Sequence, residues 1–260
     1  RQIFDRLLLR PHGLVLVVGP TGSGKTSTLY AMLQHLNSPE RNIITLEDPV
    51  EYSLPGITQA QINNRAGFTF VSGLRSLLRS DPDIIMVGEI RDTETARLAV
   101  HAALTGHLVL TTLHTTSAAG TVIRLLDMGI EPFLLGAALT GVISQRLVRT
   151  LCPDCREAYR LTGTARQVLG LTGEPGHFFY RSTGCHQCRG TGYQGRMAIQ
   201  EVMEVDSLLR SLITQGVAEK ELEAAALDNG MVSLMEDGLD KARRGLTSIE
   251  ELMRTLSLQP

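Results

Sequence analysis

The apolar positions in the first 150 residues alternate between two textures. Short runs rich in branched residues, Leu14–Val18, Ile43–Leu46, Ile84–Val87 and Leu108–Thr112, have the length and composition of buried strands. Between them lie stretches spaced for a helix. Lys25–Leu36 is one, ended by Asn37-Ser38-Pro39. A second begins near Asp92, where Ala96, Ala99, Val100, Ala103 and Leu104 follow the i, i+3, i+4, i+7, i+8 pattern and Gly106 closes the segment. Ser117–Met128, capped by Ser117 and stopped by Gly129, reads as another. Pro132 opens a further helix near its first position. Alternation of this kind predicts an α/β fold, a mostly parallel sheet with helices on both faces. Ligands in such sheets bind beyond the carboxyl ends of the strands.

Past residue 150 the pattern changes to Gly, Cys, Thr and polar residues, and from about 201 it becomes helical again. Ser233/Glu236 and Thr247/Glu250 have capping-box spacing, and Gly230 and Gly245 stand at expected helix ends. The expected division is therefore a core over 1–150, a small metal-clipped subdomain over 151–200, and a C-terminal helical subdomain over 201–260. The chain opens on Arg1 close to its first strand, and is expected to be a piece of a longer protein whose N-terminal part is missing.

The first strand leads into Gly19-Pro20-Thr21-Gly22-Ser23-Gly24-Lys25-Thr26, a complete G-x-x-x-x-G-K-[ST] phosphate loop, with Ser27 continuing into the helix. Glycines let consecutive N–H groups and the helix N-terminus point at one anion. Lys25 is then expected on the β- and γ-phosphates and the Thr26 hydroxyl on Mg²⁺. The chain is predicted to bind a nucleoside triphosphate.

Two further strands end in acids. Ile84-Ile-Met-Val-Gly-Glu89 occupies the place of a Walker B strand, with Gly88 where an aspartate is usual, so Glu89 must serve water activation, Mg²⁺, or both. Ile43-Ile-Thr-Leu-Glu47-Asp48-Pro49 repeats the arrangement; it suits metal and water positioning, and a plain strand-to-turn junction also accounts for it. His107 and His114 bracket the strand Leu108–Thr112. His114, with Thr111 or Thr112, would lie near the γ-phosphate if this strand neighbours the phosphate loop, while His107 suits a cap or packing role equally well. Arg75 and Arg79, four apart, should share a helix face, and Arg91 follows Glu89 closely. Each is a candidate to stabilise charge at the γ-phosphoryl, commonly from a neighbouring subunit, and each could be a surface ion-pair partner.

Charge and composition narrow the partners. With 25 basic and 27 acidic residues, a net charge of −2, no tryptophan and 4% aromatics, the chain has no overall basic field and little for base stacking. No nucleic-acid partner is expected. No apolar run approaches the length of a membrane span and no signal peptide is visible, so a soluble protein is expected, in the cytoplasm where ATP is available. In that compartment Cys152-Pro-Asp-Cys155 and Cys185-His-Gln-Cys188 favour metal over disulfides. The pairs, with 29 residues between Cys155 and Cys185, can supply a closed tetrahedral Cys₄ zinc site without catalysis, the alternative being four reduced thiols. Cys188-Arg-Gly-Thr-Gly192 adds a tight turn whose N–H groups can bond the thiolates. His186 reads as a bystander. The long intervening stretch should hold structure of its own.

Taken together, Ile43–Tyr52 resembles the Asp box of the secretion ATPases, Leu74–Thr95 their atypical Walker B region, and Thr105–Thr115 their His box. Gln145-Arg-Leu-Val-Arg149 precedes the first cysteine pair as in that family. The chain resembles the C-terminal ATPase region of the type II secretion and type IV pilus assembly ATPases, in motif order and over nearly its whole length. One departure is Thr115-Thr-Ser after His114, where many relatives have Thr-Asn-Asp. The resemblance implies a RecA-like core acting as a cytoplasmic homo-hexamer at the inner membrane. ATP and Mg²⁺ would be held by the phosphate loop. Glu47 and Glu89 would serve catalysis, and His107 and His114 would couple phosphate state to motion. It also implies partners in an inner-membrane platform and cytoplasmic docking proteins, with membrane association only through them. Paired cysteines, as in the assembly and secretion branches, favour pilus extension or secretion over retraction. A nucleic-acid motor of the conjugation or DNA-uptake kind shares the same core; it predicts DNA-stimulated hydrolysis. A zinc-stabilised docking module that merely senses nucleotide is a third reading.

Overall fold

The computed structural model describes residues 2–162, 169, 171 and 178–256. In chain order the elements are α1 (Gln2–Leu8), β1 (Gly13–Val18), α2 (Lys25–Leu36), β2 (Ile43–Glu47), β3 (Thr58–Gln61), a short 3₁₀ turn (Asn64–Ala66), α3 (Phe70–Leu77), β4 (Ile84–Val87), α4 (Thr93–Leu104), β5 (Leu108–Leu113), α5 (Ala118–Asp127), α6 (Pro132–Ala138), β6 (Leu139–Leu151), β7 (Arg156–Arg160), β8 (Phe178–Ser182), β9 (Tyr193–Glu204), α7 (Ser207–Gln215), α8 (Glu219–Asp228), α9 (Leu234–Arg243) and α10 (Ile249–Leu256).

One sheet runs β3-β2-β4-β5-β1-β6-β9, and a separate ribbon pairs β7 with β8. The five pairings from β3 through β6 are all parallel, as the strand–helix alternation predicts. In β1 the two-residue period is visible in the packing. Leu14, Leu16 and Val18 enter one apolar core with α3 to α8, while Val15 and Val17 enter a second with α1 and α2. Both faces of β1 are thus dry, which is why its sequence shows no polar alternation.

The chain forms two compact units, Arg1–Gln145 with Glu201–Met231, and Arg146–Gln200 with Val232–Pro260. This differs from the expected three segments. The stretch 201–260, read as one helical subdomain, is shared: α7 and α8 belong to the first unit, α9 and α10 to the second. In the second unit Val148, Phe179, Ile199, Leu234, Leu239 and Leu252 form a core of their own. The middle of the segment between the cysteine pairs, where further structure was expected, lies outside the described residues, and β7 and β8 flank it.

Capping follows the sequence closely. Asp92, Ser117 and Ser233 accept hydrogen bonds from N3 backbone N–H groups, and Ser233 completes a capping box with Glu236. The second expected box is shifted by one residue. Ser248, not Thr247, accepts from Glu251 N, at 3.2 Å, while the Thr247 hydroxyl donates to Arg149 O.

Candidate active site and cysteine cluster

The phosphate loop joins β1 to α2. Gly19, Gly22 and Gly24 have φ of 147°, 78° and 86°, a backbone other residues adopt only with strain. At Gly19 space is also forbidding: a Cβ would lie 2.4 Å from Gln145 O and 2.6 Å from Ser23 Oγ. Pro20, Thr21, Thr26 and Ser27 are exposed along the loop and the first turn of α2. The Lys25 ammonium donates to Gly19 O at 2.9 Å and Pro20 O at 3.1 Å. Ser23 is buried, with no hydrogen-bond partner for its Oγ among the described residues. A glycine cradle, an orphaned hydroxyl and a lysine folded over the loop fit a phosphate chain, and the exposed Thr26 hydroxyl fits its magnesium.

Gln145 braces this loop, a role that sequence reasoning missed; its only signal was membership of the Gln145–Arg149 motif. Its amide is buried, donates to Ser23 O at 2.7 Å, and accepts from the Thr28 hydroxyl at 2.8 Å. One side chain on β6 thereby holds the loop and the helix that follows it.

The acids gather at the same edge. β5 pairs with β1 in the register Val18↔Leu113, so His114 emerges beside Gly19, as the reading of the strand required. Its Nε2 lies 3.4 Å from Glu89 Oε2. Glu89 also pairs with Arg91, which reaches Asp48 at 3.6 Å. Burial alone would raise the Glu89 carboxyl, but Arg91 and then His114 outweigh it and hold it below the usual carboxylate range. Thr112 donates to Gly88 O and Thr111 is buried in the strand.

Glu47 sits at the carboxyl end of β2, 3% exposed. It accepts hydrogen bonds from Tyr30 Oη, from Thr45 Oγ1 at 2.5 Å and from Gln59 Nε2 at 3.0 Å.

Three expected site residues are placed elsewhere. His107 stands at the opposite end of β5 from His114. Seven residue steps at roughly 3.3 Å each put their Cα atoms about 23 Å apart. Its Nδ1 lies 2.9 Å from Ala102 O, so it closes α4 rather than lining the phosphate loop. Arg75 pairs with Glu94 on an exposed surface. Arg79 lies just past the end of α3 and donates to Arg75 O, so the two arginines do not form the expected single helix face.

In the second unit the four cysteine sulfurs lie within 4.8 Å of one another. Three of the separations are 3.9 Å (Cys152–Cys185), 3.8 Å (Cys155–Cys188) and 3.7 Å (Cys185–Cys188). A tetrahedron with metal–sulfur bonds of ~2.3 Å has edges of about 3.8 Å, so the donor set fits zinc. The glycine turn acts as expected. Cys185 N and Gly192 N each donate to Cys188 Sγ at 3.1 Å. Burial would raise the Cys188 thiol, yet these N–H groups bring it down to about 6, a thiolate ready to ligate.

Residues 1–254 match the family described as Type II/IV secretion system protein. Type II secretion system ATPase E of Vibrio cholerae is 54% identical over 251 residues, which are 96% of this chain and 50% of that protein. Type IV pilus assembly ATPase PilB of Thermus thermophilus is 49% identical over 252 residues, 96% of this chain and 28% of that protein. The crystal structure of the pilus retraction motor PilT with bound ADP aligns with a TM-score of 0.72 at 29% identity, covering 97% of this chain and 63% of that one. The chain spans about half or less of the length of these two sequence relatives.

Proposed function

The chain belongs to the type II/IV secretion system protein family, and from that premise we propose that it is the RecA-like ATPase part of a motor for type II secretion or type IV pilus extension. One observation carries the reading: Glu89, Arg91 and His114 converge beside a complete phosphate loop, on strands directly paired or next but one to β1. Mg-ATP bound there supplies the phosphoryl bond that is cleaved. Lys25 would hold its phosphates, Thr26 its metal, and Glu89 would orient the attacking water, with His114 and Arg91 fixing the carboxylate.

Arg75 pairs with Glu94 and Arg79 donates to a backbone carbonyl within their own chain, and charge stabilisation at the γ-phosphoryl would come from an arginine of a neighbouring subunit. A homo-hexamer at the cytoplasmic face of the inner membrane, docked on platform and cytoplasmic docking proteins, is the assembly this reading requires. No described helix is long and apolar enough to cross a membrane. The cysteine cluster would hold a structural zinc, in keeping with the assembly and secretion branches.

The test is steady-state phosphate release from Mg-ATP over a protein concentration series. Lys25→Ala is expected to lower turnover by about 10²-fold or more, and Glu89→Gln to retain ATP while losing hydrolysis to a similar degree. Turnover should rise more steeply than protein concentration. Equal turnover in Lys25→Ala would sink the assignment.

A further inference from the structure

We infer that Tyr30 is a positioning residue for hydrolysis, fastening the Glu47 carboxylate to the helix that carries the phosphate loop. The inference rests on the ATPase reading above.

Tyr30 lies on α2, five residues after Lys25, and is fully buried. Its hydroxyl donates to Glu47 Oε2 and accepts from Glu51 N and Gln59 Nε2, each at 3.3 Å. Burial, then the Glu47 contact, push the phenol up to about 12, so it keeps its proton at any working pH. A purely structural tyrosine in an apolar core needs one partner. This one organises a carboxylate and the segment that follows it. Its ring meets Tyr52 edge-on at 4.7 Å between centroids.

Gln59, on β3, completes the clamp. Its amide donates to Glu47 Oε1 and Tyr52 O and accepts from Leu54 N at 2.6 Å. Between them Tyr30 and Gln59 hold Glu47 and the backbone of residues 51–54. Asp48, next to Glu47, reaches Arg91 and through it Glu89. A continuous path therefore runs from the phosphate-loop helix through Tyr30 to both acids. Displacement of α2 by a bound phosphate chain would be felt at Glu47 through a single hydroxyl. Neither the strand patterns nor the phosphate-loop motif assigns Tyr30 such a role.

The experiment compares wild type, Tyr30→Phe, Gln59→Leu, Glu47→Gln and Tyr30→Phe/Glu47→Gln. Single-turnover hydrolysis of Mg-ATP and binding of a fluorescent ATP analogue are measured for each. Tyr30→Phe keeps the ring and its packing and removes one hydroxyl. The expected result is a hydrolysis rate lower by about tenfold, the order of one hydrogen bond to a charged group, with nucleotide affinity within about twofold of wild type. In the Glu47→Gln background the same change should cost less than about twofold, because the group it acts through is gone. Gln59→Leu, at a half-buried edge position, should act in the same direction, and it carries the test if Tyr30→Phe does not fold. Unchanged hydrolysis in both single variants would overturn the inference while leaving the ATPase reading intact. So would a loss that is equally large in the Glu47→Gln background, which marks a packing role. Wild-type protein that binds ATP without hydrolysing it would instead overturn the ATPase reading, and the inference with it.

Discussion

Gly88 stands where a strand of this type ordinarily ends in aspartate, and the structure gives a steric reason. A Cβ at this position would lie 3.2 Å from Leu46 O and 3.5 Å from Glu47 Cα, because β2 and β4 converge there and Gly88 N donates to Leu46 O at 2.7 Å. Restoring the usual acid with Gly88→Asp should therefore not gain a metal ligand. It should lower unfolding free energy by ~1–3 kcal/mol through overpacking and leave turnover no higher, as read by denaturant melts and phosphate release. A variant as stable as wild type and faster would refute the steric account. Residues of this kind divide by how local their physics is. Lys25, Thr26 and the loop glycines were legible because the motif encodes its own geometry. Glu89 and His114 were legible because each ends an apolar strand. For His107 a place near the phosphates and a cap were both open in the sequence, and the structure makes it the cap, since it stands at the start of β5 and His114 at the end. The roles of Gln145, beyond its place in the Gln145–Arg149 motif, and of Tyr30 were not legible locally, since Gln145 bonds Thr28 and Ser23 from 117 and 122 residues away and Tyr30 reaches Glu47 across 17.

At the scale of elements, β1, β2, β4 and β5 announced themselves in the sequence and β3, β6, β7, β8 and β9 did not, and the reason is plain for β6 and β9. β6 is buried along almost all of its 13 residues, so it shows no alternation, and its Thr, Ser, Gln and Arg obscure the apolar run. β9 alternates only from Ile199 onward, after an exposed, polar start over Gln194, Gly195 and Arg196. The helix α10 was found, with its cap displaced by one residue, and that displacement brings Glu251 inward. Its fully buried carboxylate receives Arg149 N at 3.0 Å and the guanidinium groups of Arg149 and Arg254. Burial would raise this carboxyl, but the two arginines and the backbone N–H hold it at about 2. A depressed folded-state value stabilises above the unfolded value of about 4.3 and is lost as pH falls through the folded one. The second unit should therefore lose up to ~3 kcal/mol between about pH 4.5 and 2. Glu251→Gln should remove most of that acid dependence and destabilise the unit at neutral pH, where the guanidinium groups of Arg149 and Arg254 lose their anionic partner. Hydrogen exchange in α10 across this pH range checks both; identical profiles for variant and wild type would refute the role given to Glu251.

For the whole molecule, the instructive feature is that the chain builds its second unit from two separate stretches. It enters at Arg146, leaves at Gln200 and returns at Val232, a division that composition along the sequence could not reveal because both returning segments are helical. The cysteine cluster makes sense within that unit. Cys155 immediately precedes β7 and Cys185 follows β8, whose pairing begins at Arg156↔Ser182, so the four sulfurs sit at the open end of the ribbon. Thr183 closes the same end, donating to Cys155 O through both N and Oγ1, and Cys152 N bonds to Gly192 O at 3.0 Å. A two-stranded ribbon is marginal alone, and a metal that binds only the folded arrangement stabilises it by its full binding free energy. Metal analysis of protein purified without chelator should give about one zinc per chain. Removing it should speed hydrogen exchange in β7 and β8 and lower the melting transition of the second unit, while exchange in β1, β4 and β5 stays unchanged. Cys152→Ser should reproduce the effect, because losing one of four thiolates opens the site. If Cys152→Ser loses the metal and β7 and β8 exchange as slowly as before, the clamp is dispensable, and the hydrophobic contacts of Phe179 and Ile199 are what hold the ribbon in place.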